Sequence, residues 1–299
     1  MSESRPVADR PLVIVGVGLI GASLGLALKA AGYKGEIVGY SRSSETLSTA
    51  KSRGVVDRVE AELAEAVRGA GVVVLTTPMR AMPAILETLS QHLERDTIVT
   101  DGGSVKASFV EAARSFFSDS LDRIVPGHPI AGREHSGVDA GDATLYRDHR
   151  VILTPLTETD PAATAHVRSL WQRCGSEVVE LDVATHDAVL AASSHLPHYA
   201  AFGLVDMFAS RPEKAGIFRF AAGGFRDFTR VASSDPVMWR DIALCNTDAI
   251  LSELDAYVDA LTRLRKLVAE QDADALEALF TNARDTRNAW LSELEDPTP

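Results

Sequence analysis

The chain has 299 residues, which is enough for two domains of ordinary size that each bury a core. Hydrophobic residues make up 45% of the sequence and charged residues 24%, as is typical of a soluble globular protein. The formal net charge of -12 argues against a nucleic acid or an anionic membrane surface as partner, because like charges repel.

Cysteine usage and the first residues indicate the compartment. The sequence has 2 cysteines, Cys174 and Cys245, far apart and without a CxxC motif, so no disulfide framework is expected. The opening residues 1–10, MSESRPVADR, are polar and lack the apolar run of a secretory signal; we expect them to be flexible. No apolar run reaches the roughly 20 residues that span a bilayer. These observations predict a cytoplasmic protein.

Strand and helix patterns alternate through the first half of the chain. The apolar run 12–15 predicts a buried strand, followed by a glycine turn and a helix from Leu19 to Ala31. Further strands, separated by helical stretches, are predicted at 36–41, 71–78, 96–104 and 123–129. The segments 150–155 and 176–181 are expected to extend the same sheet, with a helix near 161–174 between them. This order predicts an α/β fold: a Rossmann-type, mostly parallel sheet covered on both faces.

The pattern changes after Leu181. One long helical pattern begins at Asp182, a second covers 235–294, and no further strand is indicated. We therefore predict a dinucleotide-binding Rossmann domain over 11–181 and an all-α domain over 182–299.

A glycine motif opens the first predicted helix. Gly16, Gly18 and Gly21 form GxGxxG, with Leu19 and Ile20 at the start of the helix. The first glycine permits a tight turn, the second lets backbone approach a pyrophosphate, and the third lets helix and strand pack closely. The helix N-terminus offers unpaired N–H groups to phosphate oxygens. In this strand–turn–helix setting the motif predicts dinucleotide binding.

The end of the second strand bears on the choice of dinucleotide. An acidic residue about 20 positions after the motif would bind the ribose 2′-hydroxyl of NAD. Here Ser41, Arg42 and Ser43 occupy that place, so a 2′-phosphate meets no carboxylate and Arg42 could pair with it. Alternatively, Arg42 stacks on the adenine of NAD. The sequence leaves NAD and NADP both open.

Two further strand ends carry candidate residues at the edge where such sheets bind ligands. Thr76, Thr77 and Pro78 follow one strand, and we expect them beneath the nicotinamide ribose. Ser104 follows the next strand within TDGGSVK. Its hydroxyl could cap the following helix or bind a ligand, and both roles stay open.

The loop 125–141, VPGHPIAGREHSGVDAG, follows a third strand of this kind. Glycine-rich chain with ionisable side chains indicates a site, because it loses backbone entropy without adding core. His128 would face the nicotinamide. An imidazole with a pKa of about 6.5 can accept a proton from a hydroxyl while hydride leaves the same carbon.

The helical half offers a second group of candidates. Ser194 and His198 are four residues apart on one predicted helix face, and Pro197 is expected to kink that helix. His195 and His198 have the spacing of a metal pair, but no third-ligand motif accompanies them, so no metal is predicted. Arg230 is a candidate carboxylate clamp after the Arg226–Asp227 pair.

The motifs GHPIAGREHSG (127–137), SSHLPH (193–198) and GGFRDFTRVASSDPVMWRDI (223–242) resemble those of the prephenate dehydrogenase family in order and spacing. The resemblance covers about residues 11–290. It implies a Rossmann-type domain, a helical domain that forms a homodimer, and oxidative decarboxylation of prephenate or of its amino analogue arogenate, with NAD or NADP, in tyrosine biosynthesis. No residue decides between the two substrates.

By the same resemblance, His128 is the catalytic base and Ser104 contacts the substrate hydroxyl and the nicotinamide region. Ser194 and His198 line the active site. Arg230 binds a substrate carboxylate, and Glu134 lies over the pocket entrance.

Two other functions remain open at the level of the residues. A β-hydroxyacid dehydrogenase would place a lysine in the first long helix of the second domain, but 183–210 contains none. A non-catalytic dinucleotide sensor would keep the glycine motif without needing His128, Ser194, His198 and Arg230 together.

Overall fold

The computed structural model describes residues 7–133 and 135–295, and its first half is built on a parallel sheet of six strands. The strands are β1 (Leu12–Val15), β2 (Ile37–Tyr40), β3 (Arg58–Glu60), β4 (Val72–Leu75), β5 (Ile98–Asp101) and β6 (Ile124–Val125). Their order is β3-β2-β1-β4-β5-β6. The direction of strand succession reverses between β1 and β4, which is where open α/β sheets bind ligands. The predicted Rossmann-type fold is confirmed.

Helices connect these strands. They are α1 (Leu19–Ala30), α2 (Ser44–Ser52), α3 (Leu63–Ala66), α4 (Met82–His92) and α5 (Ala107–Phe116). Every residue of β1, β4 and β5 is buried, so both faces of the sheet centre are covered and alternation disappears from the sequence. The edge strand β3 and the short α3 were missed by the sequence pattern, because neither carries a full apolar run.

The expected extension of the main sheet is wrong. Strand β7 (Gly127–Pro129) leaves that sheet and pairs antiparallel with β8 (Arg150–Leu153), which pairs parallel with β9 (Glu177–Glu180). These three strands form a separate sheet. The single predicted strand 123–129 is interrupted at Pro126, which has no N–H to continue the ladder. Helix α6 (Pro161–Arg173) joins β8 to β9.

A continuous core joins the two sheets. Buried side chains of β1, β4, β8 and α6 pack in one cluster with Tyr146 and Trp171, whose rings meet edge to face at 5.1 Å. Residues 1–6 of the segment predicted to be flexible lie outside the described residues. Arg10, also in that segment, is 6% exposed and donates to the Asp96 carboxylate at 2.7 Å.

The second half of the described chain is helical. Its helices are α7 (Val183–Leu190), α8 (Leu196–Ala209), α9 (Lys214–Phe220), α10 (Gly223–Thr229), α11 (Pro236–Cys245), α12 (Thr247–Glu270) and α13 (Ala273–Glu295). By its internal contacts the chain forms two compact units, one that ends at Ile250 and a second that begins at Leu251. Among the described residues, no helix is long and apolar enough to cross a membrane.

Candidate active site

The three motif glycines meet three different surroundings at the carboxyl end of β1. Gly16 has φ +97°, which favours glycine, and a Cβ there would lie 2.7 Å from Thr77 Cγ2. A Cβ on Gly21 would lie 2.5 Å from the Gly16 carbonyl oxygen and 2.6 Å from Thr76 Oγ1. A Cβ on Gly18 would meet nothing within 4 Å. The turn and the close helix packing therefore need Gly16 and Gly21, whereas the space over Gly18 is open to a ligand.

This geometry fits a dinucleotide. Leu19 and Ile20 form the first residues of α1, whose N-terminus follows Gly18 directly. The free backbone N–H groups there and the open space above Gly18 are what a pyrophosphate needs.

The residues after β2 are arranged without a carboxylate. Ser41 Oγ accepts a hydrogen bond from the Ser43 backbone N–H at 3.3 Å, and Ser43 Oγ caps α2 by accepting from the Thr46 N–H at 3.2 Å. Arg42 is exposed beside them. The arrangement leaves a guanidinium and two hydroxyls where the ribose 2′ position of a bound dinucleotide is expected.

The residues after β4 divide between structure and site. Thr76 Oγ1 donates to the Gly16 carbonyl at 2.6 Å, which fixes the turn at the glycine motif. Thr77 Oγ1 is buried and has no hydrogen-bond partner among the described residues. Pro78 is exposed at the start of a short 3₁₀ turn. Thr77 thus offers the unsatisfied polar atom that a ligand could pair.

His128 lies in β7, just beyond the end of the six-stranded sheet, and is 9% exposed. A fully buried ion pair fixes its strand: Lys106 Nζ contacts the Asp101 carboxylate and donates to the Gly127 carbonyl at 2.6 Å. Asp101 Oδ1 accepts from the Gly127 N–H at 3.0 Å. Both the N–H and the carbonyl of Gly127, the residue before His128, are therefore held by hydrogen bonds.

Electrostatics keep His128 neutral. Burial lowers the pKa of its imidazole well below the usual value, and positive charge on His186, Lys106 or His195 acts in the same direction. A neutral imidazole at neutral pH is the form that accepts a proton.

Ser104 lies half-buried between β5 and α5. Its hydroxyl makes no hydrogen bond with another described residue, so the capping role that the sequence left open is not the one it plays here. Helix α5 is capped instead by Asp187, whose carboxylate accepts from the Lys106 and Ala107 N–H groups at 2.8 Å each. The hydroxyl of Ser104 therefore takes no part in capping α5.

The helix predicted around SSHLPH changes its winding there. Ala191–His195 form a π-helical turn between α7 and α8, and Pro197 lies in the first turn of α8. A proline interrupts the α-helical ladder, and π turns of this kind are frequent at functional sites. Ser194 lies in the π turn, and its carbonyl contacts His198 Nδ1 at 2.8 Å.

His198 is held against an aromatic ring and a cation. Its imidazole stacks on Trp239 of α11 with ring centroids 3.8 Å apart and an interplanar angle of 23°. Burial is the main cause that lowers the pKa of His198, and the charge of Arg230 lowers it further. Arg230 begins the 3₁₀ turn after α10 and is exposed. The candidate carboxylate clamp therefore lies within electrostatic reach of His198.

The predicted residues form two groups that meet at His195. His195 is 1% exposed, and burial lowers its pKa to about 4. It lies within electrostatic reach of both His128 and His198. Glu134, predicted over the pocket entrance, lies outside the described residues. No group of three or more metal-ligating side chains occurs in the ranges 7–133 and 135–295.

Four buried polar residues at this site were not predicted: Asp101, Lys106, His186 and Asp187. The first two stand in TDGGSVK, where a carboxylate at a strand end and a lysine before a helix were a usable signal. His186 and Asp187 stand in an ordinary helical pattern, so only the tertiary structure assigns them to the site.

Models of known families match most of the chain. The nucleotide-binding domain of prephenate dehydrogenase matches residues 24–180, and the dimerization domain of prephenate dehydrogenase matches residues 182–282. The chain belongs to the prephenate dehydrogenase family. This membership favours the dehydrogenase over the two alternatives that the sequence left open.

Relatives within the prephenate dehydrogenase family align over nearly the whole chain. Cyclohexadienyl dehydrogenase of Zymomonas mobilis is 38% identical over 94% of this chain and 96% of its own length. The crystal structure of Aquifex aeolicus prephenate dehydrogenase with hydroxyphenyl propionate and NAD+ superposes with a TM-score of 0.87 at 35% identity, covering 97% of this chain and 99% of that one. Synechocystis arogenate dehydrogenase gives a TM-score of 0.79 at 31% identity, covering 94% and 99%.

Proposed function

We propose that this protein catalyses the oxidative decarboxylation of prephenate, of arogenate, or of both, in tyrosine biosynthesis. The observation that carries the proposal is a buried neutral histidine, His128, just beyond the carboxyl end of the same parallel sheet that carries the open glycine turn, in a chain of this family. Bound NAD or NADP supplies the hydride acceptor, and release of CO₂ then makes the substrate ring aromatic.

His128 accepts the proton of the substrate hydroxyl. Its burial suits this task, because a neutral imidazole is ready to take a proton at neutral pH. Ser104 hydrogen-bonds the same hydroxyl and so orients it toward the imidazole. The support for this role is its hydroxyl, which no described residue engages.

Arg230 binds a substrate carboxylate at the other end of the ring. Its guanidinium can make two parallel hydrogen bonds to a carboxylate, which fixes orientation as well as position. Ser194 and His198 line the space between the two ends, and the stacked Trp239 holds the imidazole of His198 in place. We assign Glu134 to the pocket entrance by family resemblance.

The dinucleotide is held by the glycine turn and the strand ends beside it. We assign Gly16, Gly18, Leu19, Ile20 and Gly21 to the pyrophosphate. We assign Ser41, Arg42 and Ser43 to the adenosine ribose. We assign Thr76, Thr77 and Pro78 to the nicotinamide side of the dinucleotide.

We further propose a homodimer formed through the helical part, with the domain boundary near residue 181. The support is the dimerization-domain match over 182–282 and the large apolar side chains that α12 and α13 expose, among them Val258, Val268, Phe280 and Trp290. A biosynthetic role and the two unpaired cysteines favour a cytoplasmic location.

The purified protein incubated with substrate and dinucleotide tests the activity. The four combinations of prephenate or arogenate with NAD or NADP are compared by the absorbance of the reduced nicotinamide and by release of CO₂. We expect equal amounts of both products in at least one combination. Reduction without CO₂ release, or no reduction in any combination, would refute the assignment.

A further inference from the structure

Behind His128 lies a buried hydrogen-bonded chain that the reaction as described does not use. His128 Nδ1 is 3.0 Å from His186 Nε2, and the two rings meet edge to face at 5.2 Å. His186 is completely buried, and its Nδ1 is 2.7 Å from Asp187 Oδ1. We call His128, His186 and Asp187 the His-His-Asp chain.

The far end of the His-His-Asp chain is a fixed, ionised carboxylate. Burial opposes ionisation of Asp187, but the hydrogen bond from His186 and those from the Lys106 and Ala107 N–H groups outweigh it and hold its pKa below the usual value. The Asn246 side chain also donates to the Asp187 carbonyl at 3.0 Å, which anchors the backbone. Asp187 can therefore only accept from His186.

This end determines where each proton lies. Because an ionised carboxylate has no proton to donate, His186 must carry its proton on Nδ1. In a neutral His186, Nε2 is then an acceptor, so the hydrogen bond between the rings requires the proton of His128 on Nδ1. The remaining nitrogen of His128, Nε2, has the lone pair.

We propose that His186 and Asp187 are positioning residues that hold His128 in the tautomer with an unprotonated Nε2, which is the nitrogen that takes the substrate proton. The inference rests on the proposed function. When Nε2 gains the proton, His128 becomes a cation whose Nδ1–H still donates to neutral His186. The charge of Asp187 then stabilises that cation through the intervening ring.

Two other ionisable groups lie near His128 and do not fix its tautomer. Lys106 is engaged with Asp101 and the Gly127 carbonyl. The Nδ1 atom of His195 is 3.4 Å from the side-chain amide nitrogen of Asn246. Neither is hydrogen-bonded to the ring of His128, whereas His186 is.

Nitrogen NMR of the histidine-labelled wild-type protein tests the tautomer without turnover. Signals of His128 are assigned by their loss in His128→Gln. At a pH where the ring is neutral, we expect a protonated Nδ1 and an unprotonated Nε2. The opposite pattern would overturn the proposal, even in an enzyme that turns over prephenate. The expected pattern in a protein without activity would count against the proposed function instead.

A pair of variants tests the consequence for catalysis. His186→Leu removes the acceptor, so His128 favours the tautomer with the proton on Nε2. We expect kcat to fall about 10- to 100-fold, the range for leaving one buried polar group unpaired, with substrate KM within about threefold. His186→Gln keeps an amide oxygen that can accept, and we expect it to recover most of that loss.

His166→Gln is the matched control, since His166 is a half-buried histidine on α6 outside the His-His-Asp chain. We expect its kcat to match that of the wild type. Equal kcat losses in His186→Leu and His186→Gln would overturn the proposal, as would a loss confined to KM. If His186→Leu does not fold, the NMR pattern in the wild type still decides.

Discussion

Alanine at Gly18 and at Gly21 should separate cofactor binding from folding. Both positions stand in the same motif, three residues apart, but a Cβ meets open space at Gly18 and packed atoms at Gly21. Gly18 has φ -86°, which alanine adopts without strain. Gly18→Ala is therefore expected to fold normally, whereas Gly21→Ala is expected to be destabilised.

The magnitudes follow from the contacts. At Gly21 a methyl group would lie 2.5 Å from the Gly16 carbonyl oxygen, 2.6 Å from Thr76 Oγ1 and 2.7 Å from Ile14 Cγ2. Overpacking of this kind costs about 1–3 kcal/mol, and disturbing the hydrogen bond between the first two atoms costs about 1 kcal/mol more. Alanine recovers about 1 kcal/mol of helix propensity. We expect a net loss of about 2 kcal/mol.

At Gly18 the methyl group would occupy space that we assign to the pyrophosphate. A loss of about 1.4–2.8 kcal/mol of binding free energy corresponds to a dissociation constant raised about 10- to 100-fold. Urea unfolding measures stability in both variants, and calorimetric titration with NAD and NADP measures affinity. Unchanged dinucleotide affinity in Gly18→Ala, or unchanged stability in Gly21→Ala, would refute this account of the motif.

Four further predictions concern the site. Arg230→Ala should raise substrate KM about 10- to 1000-fold, because a bidentate charged pair with the substrate carboxylate is lost. The dissociation constant of the dinucleotide should stay unchanged. Weakened cofactor binding with a normal substrate KM would contradict this prediction. Because the pKa of His128 is lowered, the acidic limb of the kcat/KM profile should lie below pH of about 6.5, and a limb above that value would exclude His128 as its source. In the folded state His128 and His195 stay neutral as the pH falls below about 6.5, whereas both gain protons in the unfolded state. The free energy of unfolding should therefore decrease below that pH, by up to about 1.4 kcal/mol per pH unit for each of the two histidines. Urea titrations that show no decrease would contradict this prediction. Ser41→Asp should lower kcat/KM with NADP relative to NAD at least about tenfold, because a carboxylate repels the 2′-phosphate; an unchanged ratio would place the ribose elsewhere.

The sequence was sufficient where local pattern alone determines structure. The apolar runs at 12–15 and 71–78 became β1 and β4, since a strand buried on both faces needs apolar residues throughout. The motif glycines could be assigned because each role depends on the few residues around the turn. The break at Pro126 was visible in the sequence, but where the chain pairs after it depends on β8, which lies more than 20 residues further along.

The hydrogen-bonded chain behind His128 was beyond local pattern. His128 and His186 are 58 residues apart, and neither position carries a signal of the other. The π turn at Ala191–His195 was also missed: Pro197 predicted a disturbance, but the sequence does not say whether the helix kinks or widens. Sheet membership of β8 and β9 depended on tertiary pairing, so the expected single sheet was wrong.

The central claim is that His128 takes the substrate proton, and the kinetics of His128→Asn test it most directly. The variant is assayed with the substrate and dinucleotide that the wild type prefers, after calorimetry shows that both proteins bind the dinucleotide equally. We predict that kcat falls about 10²- to 10⁴-fold with KM little changed, as expected for loss of a general base. A kcat within a few-fold of the wild type would contradict the claim.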